Sequence, residues 1–157
     1  MKRALLVMMI LLSTFGNTKA IDLETRIGLG YFGYYGDWDA HVGVLTAFKV
    51  LDRFYFRPGV LVNWDSGSNH LFRIENAKLG VSIPLYASYL IPVNRVMNIR
   101  MNVGPFVGRS SLQFNAGTAV EGGLEFYRFY AGFFWFKDIA GENYSRVNLS
   151  VGYRFTL

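Results

Sequence analysis

The sequence contains no cysteine, and only four of its 157 residues are proline. Without cysteine the chain has neither a disulfide framework nor a thiolate metal site. A composition that is 52% hydrophobic and 17% aromatic also excludes a disordered protein. No apolar run reaches the ~20 residues that a membrane-spanning helix needs. The length instead suits one folded domain.

Positive charge is in excess, but it is not clustered. The formal net charge is +5. Lys2, Arg3 and Lys19 carry three of these charges, which leaves about +2 for the rest of the chain. The other lysines and arginines stand singly, without the basic patch that marks a nucleic-acid-binding protein. We therefore expect no nucleic-acid partner.

The first twenty residues form a separate unit. Lys2 and Arg3 precede the nine apolar residues Ala4 to Leu12, and a polar stretch then closes in Thr18-Lys19-Ala20. This order is typical of a cleaved secretory signal peptide, and nine apolar residues are too few for a spanning anchor. The sequence predicts a signal peptide over residues 1–20, export, and a mature domain over residues 21–157.

In the mature chain, apolar residues alternate with small or polar ones at a period of two residues. No segment of useful length has the spacing of an amphipathic helix. At the C-terminus, Leu149 and Val151 alternate with Asn148, Ser150 and Gly152. Eight such segments are found, within residues 23–31, 41–50, 54–64, 78–85, 97–104, 117–126, 128–137 and 148–157. Short connections near 51–53, 92–95 and 127–128 alternate with longer ones at 33–39, 65–70, 109–115 and 138–143. This arrangement predicts an all-β fold, an eight-stranded antiparallel up-and-down transmembrane β-barrel.

The polar face of these segments decides which side is inside. A soluble barrel has the same period with its apolar face inward. Here the polar face is rich in glycine, for example Gly28, Gly43, Gly80 and Gly104, with charges of both signs. Glycine would weaken a water-facing strand for no gain, whereas inside a narrow barrel it leaves room for long side chains. The pattern predicts a polar face inward and an apolar face towards lipid, with the seventh segment left open because it is aromatic on both faces.

Aromatic residues give an independent indication of a membrane. Two belts at the lipid interfaces are typical of such barrels. The predicted belt residues are Trp38, Trp64 and Trp135 near the long-loop end, and Phe54, Phe126, Tyr153 and Phe155 near the short-turn end. The aromatic end of the last segment also resembles the C-terminal signal that barrel-assembly machinery recognises, so we expect that machinery and outer-membrane lipid as partners.

Four stretches resemble the small outer-membrane β-barrel domain family of Bacteroidetes-type bacteria. They are V-S-I-P-L-Y-A-S-Y (81–89), G-P-F-V-G (104–108), E-G-G-L-E (121–125) and V-N-L-S-V-G-Y-R-F (147–155). The resemblance covers nearly all of residues 21–155. It implies eight antiparallel strands in the outer membrane, no assigned activity for most members, and no catalytic residues to transfer.

Charged residues on the inward face are the candidate functional set. The candidates are Asp22, Glu24, Arg100, Glu121, Glu125 and Arg154. If the fifth and sixth strands pair symmetrically about their loop, Arg100 lies opposite Glu125. If the first strand closes on the last, Asp22 and Glu24 approach Arg154. Because unpaired buried charge is costly, we expect such pairs to fill and plug the lumen. A proton or ion path is the alternative.

Catalytic chemistry is only weakly indicated. An outer-leaflet lipid-modifying enzyme would use a histidine with a serine or carboxylate, and the chain has His41, His70 and several loop serines. No spacing singles out a triad, and two separated histidines make a poor metal site. The run Gly28 to Gly33 lacks the following helix of a nucleotide-binding loop. We expect no catalytic activity, no cofactor and no metal.

The long loops mix aromatic and acidic residues, among them Tyr34, Trp38, Asp39 and Asp138. Such loops can form an adhesive or ligand-binding surface. The sequence therefore predicts a small, monomeric outer-membrane barrel protein, structural or surface-exposed. Two alternatives stay open: a surface adhesin or ligand-binding module acting through extracellular loops, and a lipid-modifying enzyme.

Overall fold

Eight antiparallel strands close into one barrel. The computed structural model describes residues 22–32, 37–65, 78–110, 113–140 and 145–156; the predicted signal peptide lies outside them. The strands are β1 (Asp22–Phe32), β2 (Asp37–Leu51), β3 (Phe54–Asp65), β4 (Lys78–Pro92), β5 (Met97–Ser110), β6 (Gln113–Phe126), β7 (Phe129–Asp138) and β8 (Ser145–Thr156). Each strand pairs with the next, and β8 pairs with β1. The predicted all-β, eight-stranded barrel is confirmed.

Closure joins the two ends of the described chain. Leu23 lies opposite Phe155, and Arg26 lies opposite Gly152. The alternation of β8 therefore matches that of β1, so both strands turn their small and charged residues to the same side. No helix long and apolar enough to cross a membrane occurs among the described residues.

The three predicted short connections are confirmed. They are the turns Asp52–Arg53, Val93–Val96 and Tyr127–Arg128, which together form what we call the short-turn end. The prediction of a longer connection at 109–115 is wrong, because β5 continues through Ser110 and β6 begins at Gln113, its partner. The polar residues in this stretch suggested a loop. Hydrogen bonds between strand backbones do not require apolar side chains, however, so β5 and β6 stay paired beyond their apolar segments.

Along each strand, side chains point alternately to the outside and to the inside of the barrel. Leu149 is 70% exposed on the outside of the barrel, whereas its neighbours Asn148 and Ser150 are buried inside. The orientation of β7, which its sequence left open, is now defined. Phe134 and Phe136 are buried inside, while Phe133 and Trp135 are exposed outside.

The interior is less polar than the sequence predicted. A cluster of buried apolar residues fills part of it, comprising Leu45, Leu61, Tyr86, Phe106, Ala119, Phe134 and Phe136. The Phe136 ring packs edge-to-face on Phe106 and Phe134, with centroids 4.7 and 5.0 Å apart. Gly43 and Gly59 leave the space that the Leu61 and Leu45 side chains occupy. An eight-stranded barrel is just narrow enough for side chains to fill, and apolar atoms fill it without needing partners.

Gly104 should be the glycine least tolerant of substitution in the β4–β5 ladder. A Cβ added there would overlap the carbonyl oxygen of Leu85, which is backbone and cannot move aside without parting the strands. We expect Gly104→Ala to lower the free energy of unfolding by about 1–3 kcal/mol. Equilibrium denaturant unfolding in lipid vesicles measures the change.

Gly122→Ala is the matched control, because a Cβ there points outward and meets only Phe133 at 3.9 Å. Its effect should stay within about 0.5 kcal/mol. Equal stability of the two variants would contradict this account of Gly104.

Candidate functional site

Seven ionic side chains meet inside the barrel towards the short-turn end. We call them the charged cluster: Glu24 and Arg26 from β1, Arg57 from β3, Arg100 from β5, Glu121 and Glu125 from β6, and Arg154 from β8. The strand period brings each of them inward, because they share the parity of the buried residues on their strands. Five strands therefore contribute to one site.

Arg100 is the centre of the charged cluster. Its Nη1 lies 2.6 Å from Glu24 Oε2 and its Nη2 lies 2.9 Å from Glu24 Oε1, so the pair is bidentate. Nη1 also donates to Glu125 Oε2 at 3.2 Å, and Nη2 lies 3.6 Å from Glu121 Oε1. Bidentate, charge-assisted hydrogen bonds are the strongest that side chains make. One fully buried guanidinium thus neutralises parts of three carboxylates.

Arg26 and Arg57 complete the pairing. Arg26 Nε donates to Glu24 Oε1 at 2.6 Å, and its Nη2 lies 2.8 Å from Glu121 Oε1. Arg57 Nη1 lies 3.4 Å from Glu24 Oε2, and its Nε donates to Ser88 Oγ at 3.2 Å. Every carboxylate of the charged cluster therefore faces at least two guanidinium groups.

The ring of Tyr130 adds cation–π contacts to the same cluster. Its centroid lies 3.5 Å from Arg100 Cζ and 4.7 Å from Arg26 Cζ. Gly123 and Gly132 leave room for its hydroxyl group. A desolvated cation over an aromatic face contributes about 2 kcal/mol. The tyrosine fills the lumen between two arginines instead of leaving a passage.

Formal charge is nearly balanced within this set. Four arginines face three glutamates, and Asp22 at the edge lies 3.8 Å from Arg154 Nε. Burying these charges has a large desolvation cost, which is offset only by their mutual pairing. The near balance of charge therefore suits a closed interior. An excess of one sign would instead create an electric field that draws ions of the opposite sign through the lumen.

The structure places all six predicted charges at this end, with one difference in register. Arg100 lies opposite Gly123, and Glu125 lies opposite Asn98, so the two are not direct partners. Their side chains still meet because a diagonal pair is within reach of long side chains. Glu24 does lie opposite Arg154 in the ladder, but its carboxylate turns to Arg26 and Arg100.

Sequence reasoning did not select Arg26, Arg57 or Tyr130. Arg26 and Arg57 stand at inward positions of the same alternation that selected Glu24 and Arg100, so parity alone could have found them. Tyr130 had a weaker signal, because β7 is aromatic on both faces and only Gly132 marks which parity points inward.

The predicted belt residues lie near the two ends of the outer surface. Trp38, Trp64 and Trp135 are exposed and lie towards the ends of their strands opposite the short turns. Phe54, Phe126 and Phe155 are exposed near the short turns. Tyr153 is half-buried there, because its ring packs against Phe129 and Phe155 with centroids 5.1 and 4.8 Å apart.

His41 is a buried interior residue. Its Nε2 lies 3.4 Å from Ser150 Oγ, and its ring packs edge-to-face on Phe134, with centroids 4.9 Å apart. Both partners face the lumen, so this pair is not accessible from the outer surface of the barrel. His70 and the loop serines Ser66, Ser68 and Ser111 lie outside the described residues, as does the predicted loop residue Tyr34. The prediction that Asp39 and Asp138 belong to a loop surface is wrong, because both lie on strands with their side chains buried inside the barrel, whereas Trp38 is exposed on the outside. The described part of the chain holds no group of three or more side chains suited to a metal ion.

A second buried ion pair lies at the end opposite the short turns. Arg146 Nη1 donates to Asp39 Oδ2 at 3.1 Å, and this bond joins the beginning of β8 to the beginning of β2. Nearby, Asn63 Nδ2 donates to Ser82 Oγ at 3.1 Å. Paired polar groups therefore lie inside the barrel at both ends.

Comparison with known proteins gives fold similarity alone. No family model matches the chain, and no curated protein matches it. Neisserial surface protein A superposes with a TM-score of 0.69 at 12% identity, over 88% of this chain and 96% of that chain. The N-terminal β-barrel domain of Pseudomonas aeruginosa OprF gives a TM-score of 0.57 at 12% identity, over 88% and 98%. Ail, the attachment invasion locus protein of Yersinia pestis, gives 0.51 at 11% identity, over 87% and 97%. The chain therefore has the fold of small outer-membrane barrels.

Proposed function

We propose that this protein is a small, monomeric outer-membrane β-barrel with a lumen filled by side chains and with no catalytic activity. It is exported through its signal peptide and inserted by barrel-assembly machinery, and its family is the small barrel domain of Bacteroidetes-type bacteria that its sequence resembles. The charged cluster carries the proposal, because its ion pairs occupy one end of the interior, while the outer surface of the strands is apolar.

The outer surface supports a lipid environment. Large apolar side chains are exposed on all eight strands, for instance Ile27, Val60, Met101 and Leu149. Soluble monomers rarely expose apolar patches larger than a few hundred Å². Barrel closure also pairs every strand, so no open edge has to sit in hydrocarbon.

The interior supports a plugged lumen. Arg57, Arg100, Tyr86 and Phe134 are among the largest fully buried side chains, and all point inward. Within the described residues catalysis is not favoured, because His41, which lies beside Ser150, is enclosed among these side chains. The proposed role is structural: a stable barrel that holds its loops at the cell surface, where those loops would bind any extracellular ligand.

Planar-bilayer recording tests the plugged lumen. We expect the purified, refolded protein to insert without steady conductance, because ion pairs and aromatic rings occupy the route. Insertion is checked separately by heat-modifiable gel migration of the same sample, which folded barrels show. A large porin in the same bilayer is the positive control. Steady nanosiemens-scale channels from folded protein would overturn the plugged lumen, and absence of heat-modifiable migration would overturn the barrel proposal itself.

A further inference from the structure

Each turn at the short-turn end carries one exposed arginine. Arg53 lies in the β2–β3 turn, Arg95 in the β4–β5 turn and Arg128 in the β6–β7 turn. We call these three residues the arginine rim. Spaced around one mouth of the barrel, they form a ring of guanidinium groups that the charged cluster inside does not use.

The arginine rim keeps an excess of positive charge. Arg53 Nε lies 3.7 Å from Asp52 Oδ2, but Lys49 Nζ shares that carboxylate at 3.5 Å. No carboxylate of the described residues pairs with Arg95 or Arg128. Among the exposed charged side chains described at this end, Lys49 and the three rim arginines are cations, and Asp52 is the anion that pairs with two of them.

Backbone hydrogen bonds hold the three turns in place. The Arg53 carbonyl accepts from Leu90 N–H at 2.9 Å, and the Arg128 carbonyl accepts from Arg154 N–H at 2.7 Å. In the middle turn, the side-chain Oδ1 of Asn94 accepts from the backbone N–H groups of Val96 and Met97, both at 2.9 Å. The arginine side chains therefore project from fixed points.

Arg53 occupies its turn at a conformational cost. Its φ is 64°, in the left-handed region where glycine or asparagine is less strained. A side chain kept at such a position is consistent with a role beyond closing the turn.

Exposed aromatic rings fix the depth of the arginine rim. Phe54 follows Arg53, and Tyr127 and Phe129 flank Arg128, all exposed on the outside. Aromatic rings of membrane barrels settle at the boundary between hydrocarbon and headgroups. An arginine beside such a ring reaches the plane of the lipid phosphates.

We propose that the arginine rim binds the phosphate headgroups of anionic phospholipids in the leaflet around the short turns. This inference rests on the proposed membrane insertion. The planar guanidinium fork matches phosphate oxygens in bidentate fashion. A cell-wall polymer could offer carboxylates to the same charges, but it would not account for the exposed aromatic rings beside Arg53 and Arg128.

Electron spin resonance of spin-labelled lipids tests the proposal on the full-length mature protein. The protein is refolded in phosphatidylcholine vesicles that contain either spin-labelled phosphatidylglycerol or spin-labelled phosphatidylcholine. We expect the barrel to favour the anionic label by about fivefold. The triple variant Arg53→Asn, Arg95→Gln, Arg128→Gln should bring that preference close to one, and asparagine tolerates the left-handed turn.

Arg109→Gln is the matched control for Arg128→Gln, since each removes one exposed guanidinium but from opposite ends of the barrel. The first should retain the wild-type lipid preference, whereas the second should reduce it. Heat-modifiable migration in pure phosphatidylcholine establishes that every variant has inserted, so a folding failure is distinguished from a binding failure. A folded wild type without anionic preference, or a triple variant that keeps it, would overturn the proposal. So would rim-dependent co-sedimentation with purified peptidoglycan in place of a lipid preference.

Discussion

Replacing Arg100 with methionine should lower the free energy of unfolding by about 3–5 kcal/mol. Methionine keeps much of the volume but leaves Glu24 without its bidentate partner and Glu121 and Glu125 with fewer cations. The carboxylates stay buried, so their lost pairing cannot be replaced by water. Denaturant unfolding in lipid vesicles, followed by tryptophan fluorescence, measures the loss.

Arg109→Met is the control for Arg100→Met, because Arg109 is exposed near the other end of β5. Its effect should remain within about 0.5 kcal/mol. Combining Arg100→Met with Glu24→Gln returns the charged cluster to its wild-type net charge and should recover part of the stability. If Arg100→Met and Arg109→Met unfold at the same denaturant concentration, the charged cluster does not stabilise the barrel as described.

Placing an arginine at Leu149 should cost about 2–4 kcal/mol of unfolding free energy. Leu149 lies near the middle of β8 and is 70% exposed on the outer surface. In a bilayer that position is surrounded by hydrocarbon, which solvates a guanidinium poorly. In a water-soluble barrel the same substitution would change stability by no more than about 0.5 kcal/mol. Equilibrium unfolding in vesicles therefore tests which solvent surrounds the barrel.

Phe155→Arg is the matched control for Leu149→Arg, because Phe155 is also exposed on β8 but lies near the short-turn end. Near the interface an arginine costs only about 0–1 kcal/mol. The difference between the two variants, rather than either value alone, carries the depth dependence. Equal effects would argue against a membrane-spanning orientation.

The strands and their faces followed from the sequence wherever the two faces differ in chemistry. Along β8, Leu149 and Val151 contrast with Asn148 and Ser150, so parity was enough to orient the strand. The position of a glycine within this alternation also indicates which face of a strand points inward. On β7 the two faces are both aromatic, but Gly132 shares the inward parity of Tyr130 and Phe134 and could have oriented that strand.

The partners within the charged cluster could not be predicted from strand order. Arg100 and Glu125 are offset by two residues in the β5–β6 ladder, because that register depends on where the strands end and not on side-chain polarity. The strand extension to Ser110 and Gln113 was missed for the same reason. Contacts such as Arg100 with Glu24 depend further on barrel closure, which places β1 across the lumen from β5.

The origin of the charged cluster in five strands has a consequence for how the barrel forms. Glu24 and Arg100 are 76 positions apart along the chain, so their ion pair requires most of the sheet to be in place. Contacts of such long sequence separation form late, because the intervening chain must be ordered first. An open sheet would leave several of these charges unpaired beside lipid, which disfavours every partly closed species. Closure should therefore be the final, cooperative step, with the barrel populated either complete or not at all.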